Sequence, residues 1–497
     1  MKNILFYTKL SFLVLMSQQA QATWTIDSLA GNRAFMASIT IGTKAVFSNG
    51  YNWDIFDEST HLWSSGNFFM ARKETYPISN GDKAYFAGGW KGSFADPVDV
   101  NSIEVYNNVT GLWSSLTLSQ GRRVGAAAAI GNKVIFAGGY RVLAYSNRVE
   151  FFDVLTDVRT TALLSQARTN IAVGVSGDKV VFAGGQKGQP TMGVINSSDR
   201  VDIYDNALNT WSTATLSSKR QHIGVAVIGS KIIFAGGINM ASGISTNNVD
   251  VYDAITNTWT VHHLSQKKYA MTSAVVGTKA YFFGGIVNSA GSLSSRVEIY
   301  DSSTGLWTVK YLTGPHHAGV VTVTDERVMY SGGIETWGNI GTSKIEVLNI
   351  ATGTWSVEQL SEPRLYLSSA SFQHTAIVVG GVQVWSSYPL YTIPSKRVDI
   401  WNDNIIIRMI PEIKQDKHTV TIYPNPVVGL LHVQVSGSEN EDYVYQLFTV
   451  SGQKVTEELH SNELINDMNI ADLPKGVYIL NVRFESGINS AMRVIKE

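Results

Sequence analysis

Basic side chains recur in this chain at one fixed place in a repeating frame. Arg33, Arg72, Arg122, Arg168, Arg220, Lys268, His316 and Arg364 each lie nine residues before a turn position, which itself lies seven residues before a Gly-Gly pair or its equivalent. A ring of such groups could hold carboxylates or sugar hydroxyls, because a guanidinium presents a planar fork of donors. Aromatic residues outside the frame follow the glycine pairs: Trp90, Tyr140, Trp337, Trp385, Tyr388 and Tyr391. Their faces suit stacking on a sugar ring. Arg123, His222, His316 and His317 break the frame and are further candidates for ligand contact. His316 and His317 are not expected to hold a metal, since neighbours in a strand point to opposite sides and no acidic or histidine cluster accompanies them. A residue that recurs in every unit also fits an architectural role, paired with backbone carbonyls or an acid of the adjacent unit.

The elements that position these groups follow from the spacing. Glycine pairs begin at Gly88, Gly138, Gly184, Gly236, Gly284, Gly332 and Gly380, with an eroded copy at Asn49-Gly50, giving eight units. Each pair ends an apolar run such as Ile232-Ile233-Phe234-Ala235. The turn positions are Gly42, Gly81, Gly131, Gly177, Gly229, Gly277, Asp325 and Gln373, and glycine there supplies the positive φ that tight hairpin loops need. Nine residues before each basic position stands Trp24, Trp63, Trp113, Trp211, Trp259, Trp307 or Trp355, with Arg159 as the exception. A strand such as Val201-Asp202-Ile203-Tyr204-Asp205 lies between each glycine pair and the next Trp. Arg148, Arg200, Arg296, Lys344 and Arg397 precede the acids of these strands and read as their local charge partners.

Four strands per unit of about 48 residues predicts a propeller blade. The glycine pair, the Tyr before Asp (Tyr106, Tyr204, Tyr252, Tyr300) and the Trp six residues later resemble the kelch repeat over residues 23–402. The expected fold is all-β: a kelch β-propeller of eight blades by count, seven being the alternative, with a small C-terminal β-sandwich. The strands of a blade are named a to d: a follows the basic residue, b ends at the glycine pair, c carries the Tyr and d the Trp. The last strand c has Arg408 where Trp is expected, and Trp24 has no strand c ahead of it. Residues 23–29 are therefore expected to supply strand d of the last blade and to close the ring; residues 403–410 are the competing choice.

Only the b–c gap varies, from 8 residues (Asn49 to Asp57) to 22 (Gly380 to Asn402). The b–c loops share a face with the d–a junctions that carry the basic residues. Variable loops on a rigid scaffold are where binding function concentrates.

Both ends read as addresses. Lys2 and Lys9, the apolar run Leu10 to Met16 and Ala20-Gln21-Ala22 make residues 1–22 a signal peptide with cleavage near Thr23. No stretch reaches the ~20 apolar residues of a transmembrane helix. After a linker at 403–418, residues 419–497 show short alternating strands separated by Gly, Asn and Pro turns, a β-sandwich pattern. Tyr423-Pro424-Asn425-Pro426, Gly429, Ser451-Gly452-Gln453, Leu473-Pro474-Lys475-Gly476-Val477-Tyr478, Arg493 and Lys496 resemble the type A sorting domain of the type IX secretion system. That resemblance implies a Bacteroidota-type bacterium, the type IX machinery as partner, and release or display outside the cell.

Composition removes other classes. The 497 residues include no Cys, which excludes a disulfide scaffold, a thiolate zinc site and a Cys nucleophile. It also excludes the copper centre with a Cys–Tyr crosslink that one kelch family uses to oxidise galactose. With 39 Lys+Arg against 40 Asp+Glu, the chain lacks the charge of a nucleic-acid binder. No phosphate loop, nucleophile elbow or metal-protease motif is present, so no catalytic residue and no cofactor is assigned. The expectation is a secreted or surface binding module for a glycan or an extracellular protein. A carbohydrate-active enzyme, such as a sialic-acid mutarotase or a lyase, and an adhesion protein are the alternatives.

Overall fold

The computed structural model describes residues 23–93, 96–142, 144–189, 194–336, 340–387, 390–402, 419–436, 442–449, 453–485 and 489–497. The expected signal peptide, the linker, Trp337 and Tyr388 lie outside these residues, as do the side chains of Trp385 and Tyr391. Every described element is a strand. The chain divides into two compact units, Met1–Ile406 and Ile407–Glu497.

The first unit is built from sheets of four antiparallel strands following one another in sequence. One such sheet runs Gly224–Ile228 (a), Lys231–Ala235 (b), Asn248–Asp253 (c) and Thr258–His263 (d). Among the described residues seven of these sheets occur, an eighth sheet takes its outer strand from the N-terminus, and each strand a packs on the next. Ser368–Ser371, the last strand a, packs against Ala37–Ile41, the first, so the strands a form a closed inner ring. The b strands are buried on both faces, as in Ile232, Ile233, Phe234 and Ala235, which is why they read as continuous apolar runs instead of alternating ones. The Trp of strand d covers the outer end of this core. Trp211 lies 5.2 Å from Tyr204 and 6.1 Å from Phe182 of its own blade, and 6.4 Å from Phe151 of the preceding one. Aromatic burial of this kind contributes roughly 1.5–3 kcal/mol for each side chain fully removed from water.

The glycine pairs join blades. The second glycine donates its N–H to the backbone oxygen of the next basic residue: Gly89 to Arg122, Gly237 to Lys268 and Gly285 to His316, each at 3.0 Å. At Gly88, with φ of +63°, a Cβ would stand 2.3 Å from the Arg122 oxygen. Only glycine permits that approach.

The ring closes through its N-terminal strand. Thr23–Arg33 pairs antiparallel with Leu390–Asn402, placing Thr23 opposite Asn402 and Trp24 opposite Trp401. The Trp24 indole N–H donates to Glu358 at 2.6 Å and its ring lies 5.5 Å from Trp401. Gly381 reaches Arg33 across the closure with the bond used between other blades. The strand expected from residues 23–29 forms and runs on to Arg33.

The second unit packs two sheets around one core of residues including Leu431, Val433, Leu447, Leu480, Val482 and Val494. One sheet holds Thr419–Tyr423, Leu430–Ser436 and Ile465–Asn469; the other holds Leu459–Ser461, Tyr443–Thr449, Gly476–Phe484 and Asn489–Lys496.

Candidate functional site

The basic ring is turned into the protein. Arg72, Arg122, Arg168, Arg220, Lys268, His316 and Arg364 have no exposed side-chain surface, and Arg33 keeps only 12 %. At the seven fully buried positions this burial argues against the expected ligand contact, and Arg33 is the one left partly open to solvent. Each of the six arginines pairs with an acid on strand c of its own blade, not of the adjacent one: Arg33 with Asp54, Arg72 with Glu104, Arg122 with Glu150, Arg168 with Asp202, Arg220 with Asp250, Arg364 with Asp399. The guanidinium also reaches strand-end carbonyls. Arg72 donates from Nε to the Gly88 oxygen and from Nη2 to the Phe86 oxygen, both at 2.7 Å. The same acids accept from the incoming d–a linker, as in Ser119 N–H to Glu150 at 2.7 Å and Ser217 N–H to Asp250 at 3.0 Å. Acid and base thus staple the linker of one blade to the sheet of the next.

Two staples are altered. Lys268 donates to the Arg296 oxygen at 2.9 Å and stands 3.9 Å from Glu298; burial pulls its ammonium down to about 8. His316 lies 3.4 Å from Glu335 and 3.9 Å from Glu346, and its two ring nitrogens are buried without a hydrogen bond. Burial holds its imidazole below the ordinary histidine range, against the pull of Glu335 and Glu346.

The residues just after the staples lie against the b–c loops. The next residue bridges the b–c loop in seven units: Lys73 to Trp90, Arg123 to Tyr140, Thr169 to Gln186, Gln221 to Ile238, Tyr269 to Ile286, His317 to Ile334 and Leu365 to Val382. Loops and linkers therefore share one face, as their order along the chain requires.

On this face, above the second to fourth blades, lies a cleft of about 520 Å³ lined by Glu74, Tyr76, Arg123, Tyr140, Tyr145, Thr169, Asn170 and Gln186 among others. Arg123 organises it. Its guanidinium carbon sits 4.6 Å from the Trp90 ring and 5.1 Å from the Tyr140 ring, and Nη1 is 3.5 Å from Glu74. Its Nε is buried with no hydrogen-bond partner. Gln186 donates to the Tyr145 hydroxyl and accepts from Asn170 at 3.2 Å. Tyr145 thereby keeps its own proton for another acceptor. Asp99 accepts the Val142 N–H at 2.8 Å, tying two loops together; burial raises its carboxyl despite that bond and the charges of Arg123 and Arg141.

Of the candidates that depart from the frame, Arg123 lies in the cleft and His222 is exposed on the mouth outside it. Trp90 is only 1 % exposed, so its expected ligand contact is corrected: it supports Arg123 from beneath. Glu74, Tyr145, Asn170 and Gln186 carried no signal in the repeat frame. The clue available for Glu74 and Asn170 was their position two residues after a frame arginine, just before the innermost strand.

Two stretches, residues 219–261 and 268–310, match the Kelch motif, and residues 421–497 match the Secretion system C-terminal sorting domain. The chain carries kelch repeats and, at its C-terminus, a type IX sorting domain. That domain marks the kelch propeller for export to the cell surface or the medium. Among the described residues no helix is long and apolar enough to cross a membrane. A solved structure entitled "Structure of YjhT" is similar over 57% of this chain and 99% of that chain, with 16% identity and a TM-score of 0.41. No curated protein matches the sequence.

Within the sorting domain, Tyr423-Pro424-Asn425-Pro426 meets the C-terminal strand. Asn425 donates to the Arg493 oxygen at 2.7 Å and accepts the Ile495 N–H at 2.8 Å. Gly476 pairs with Lys496, which is 7% exposed, and the Tyr478 hydroxyl donates to the Pro474 oxygen at 2.7 Å. Motifs some 70 residues apart in sequence thus share one edge.

Proposed function

We propose that the propeller is an exported binding module for a glycan, and that the cleft around Arg123 receives a sugar. The observation that carries this reading is the Arg123 guanidinium, held between the Trp90 and Tyr140 rings beside Glu74. A guanidinium held flat against aromatic rings loses little freedom on binding. Paired with a carboxylate, it offers donors and acceptors side by side, which suits adjacent hydroxyls. Tyr140 and Tyr145 add apolar faces, while Thr169, Asn170 and Gln186 add hydroxyl and amide groups. Pockets of this size with a few convergent polar groups are the usual seats of small ligands.

A glycan array probed with the mature chain tests the reading. Selective signals that are lost on Arg123→Ala are the expected result. Uniformly flat signals, or a profile that Arg123→Ala leaves untouched, would rule the cleft out.

A further inference from the structure

The residue two positions after each staple has an unusual backbone. Phe35, Glu74, Asn170, His222, Ala270, Ala318 and Tyr366 all occupy the left-handed region, with φ between 50° and 58°. Seven of the eight units share this feature; at the corresponding place in the third blade, Val124 does not. Several of these residues touch one another from blade to blade. Ala270 N–H donates to the His222 oxygen at 3.0 Å and Tyr366 N–H to the Ala318 oxygen at 3.3 Å. The Phe35 and Tyr366 rings lie 5.1 Å apart, across the ring closure. Glu74 meets Arg123 of the next blade.

The conformation strains any residue with a Cβ, and bulky ones most. Elsewhere the chain avoids that strain. Its a–b turns use Gly42, Gly81, Gly131, Gly177, Gly229 and Gly277, all at positive φ. Its c–d turns use Gly111, Gly305, Gly353, Asn209, Asn257, Asp157 and His61, types that tolerate the region. At the mouth it instead keeps Phe, Glu, Ala and Tyr, and among 44 glycines it spends none there. The backbone bonds at this position would be made equally well by glycine. Strain held against an available glycine marks a side chain kept for what it touches.

We infer that these left-handed residues, not the stapled basic ring, form the selectivity ring of the binding face, an inference that rests on the glycan reading above. The ring is lopsided. Glu74, Asn170 and His222 offer hydrogen bonds, Phe35 and Tyr366 form an aromatic wall, and Ala270 and Ala318 leave a gap between the two sectors. A sugar whose hydroxyls meet the polar sector has room for its bulk over the two alanines.

Two sets of variants, read by thermal unfolding and by titration of the strongest array glycan, test this. The double variant Ala270→Gly/Ala318→Gly relieves strain and is expected to raise Tm by about 1–2 °C. Glu74→Gly and Ala318→Trp are expected to weaken binding about tenfold or more, the first by removing an acceptor, the second by filling the gap. Binding within twofold of the parent chain in both single variants would overturn the inference. A Tm that falls in the double glycine variant would overturn it too, because the alanine side chains would then be packing elements. No glycan bound by the parent chain would remove the functional reading and this one together; binding that the variants leave unchanged would remove the ring alone.

Discussion

Two sets of residues recur two positions apart in sequence, and they obey opposite rules. The staple ring is uniform in chemistry and fully buried apart from Arg33. The ring after it is varied, with Phe35 at 57 % exposure and the Glu74 side chain at 56 %. Regular recurrence marked the residues that hold blades together; irregularity marked those that face outward. A repeat protein thus separates architecture from recognition over a distance of two residues, and the more obvious of the two signals is the architectural one.

The largest effect expected on this contrast comes from breaking a staple. Arg220→Ala would leave Asp250 buried without its cation and the Phe234 oxygen without its donor. A loss of roughly 3–5 kcal/mol follows for removing one partner of a buried pair, measurable by denaturant unfolding. The fraction still folded should bind glycan as the parent chain does; a selective loss of affinity without loss of stability would reverse the roles of the two rings.

Arg123→Ala should show the converse. Its neighbour Glu74 is solvated, so stability is expected to change by no more than about 1 kcal/mol, while glycan affinity falls by one to two orders of magnitude in calorimetric titration. A stability loss as large as that of Arg220→Ala would place Arg123 with the staples.

The smallest effect comes from repairing an altered staple. His316→Arg restores a permanent cation facing Glu346 and should stabilise by about 1 kcal/mol, the scale of a charge-assisted bond less the entropy of ordering it. The pH dependence gives a second readout. A histidine held below its ordinary value of 6.5 in the fold binds protons more readily when unfolded. Stability is therefore complete above that value and falls as pH drops through it. Glu335, Glu346 and Lys344 are the charged groups that act on His316. Burial also lowers His317, so the variant should reduce the acid slope and not abolish it. Unchanged stability between pH 7 and pH 5 in both chains would contradict the buried placement of His316.

Much of this was legible in the spacing. The strand count per unit, the hairpin turns, the face shared by loops and linkers and the closure through Trp24 all follow from residue positions, because the repeat fixes the register. The destination of the basic side chains was not legible. Asp54, Glu104, Glu150, Asp202, Asp250, Glu298, Glu346 and Asp399 also recur once per unit. Sequence proximity assigned five of them to cations two residues earlier, such as Arg296. In the fold Arg296 donates to the Ser265 hydroxyl and carbonyl, and Lys344 pairs with Glu335. Adjacent strands bring a residue some 30 positions distant closer than a near neighbour, as Arg220 and Asp250 show. The cleft was invisible for a related reason: Glu74, Arg123, Tyr145 and Gln186 come from different blades, and nothing in a linear frame joins them.

The closing strand has a kinetic consequence. Seven of the blades are assembled from contiguous chain, but the last needs Thr23–Arg33 to find Leu390–Asn402. Contacts of such sequence separation form late, since a long loop must be ordered before they contribute. The propeller therefore cannot reach its full stability until nearly all of it has been delivered to one compartment, and the same seam, held by one strand end, is where it is expected to reopen first.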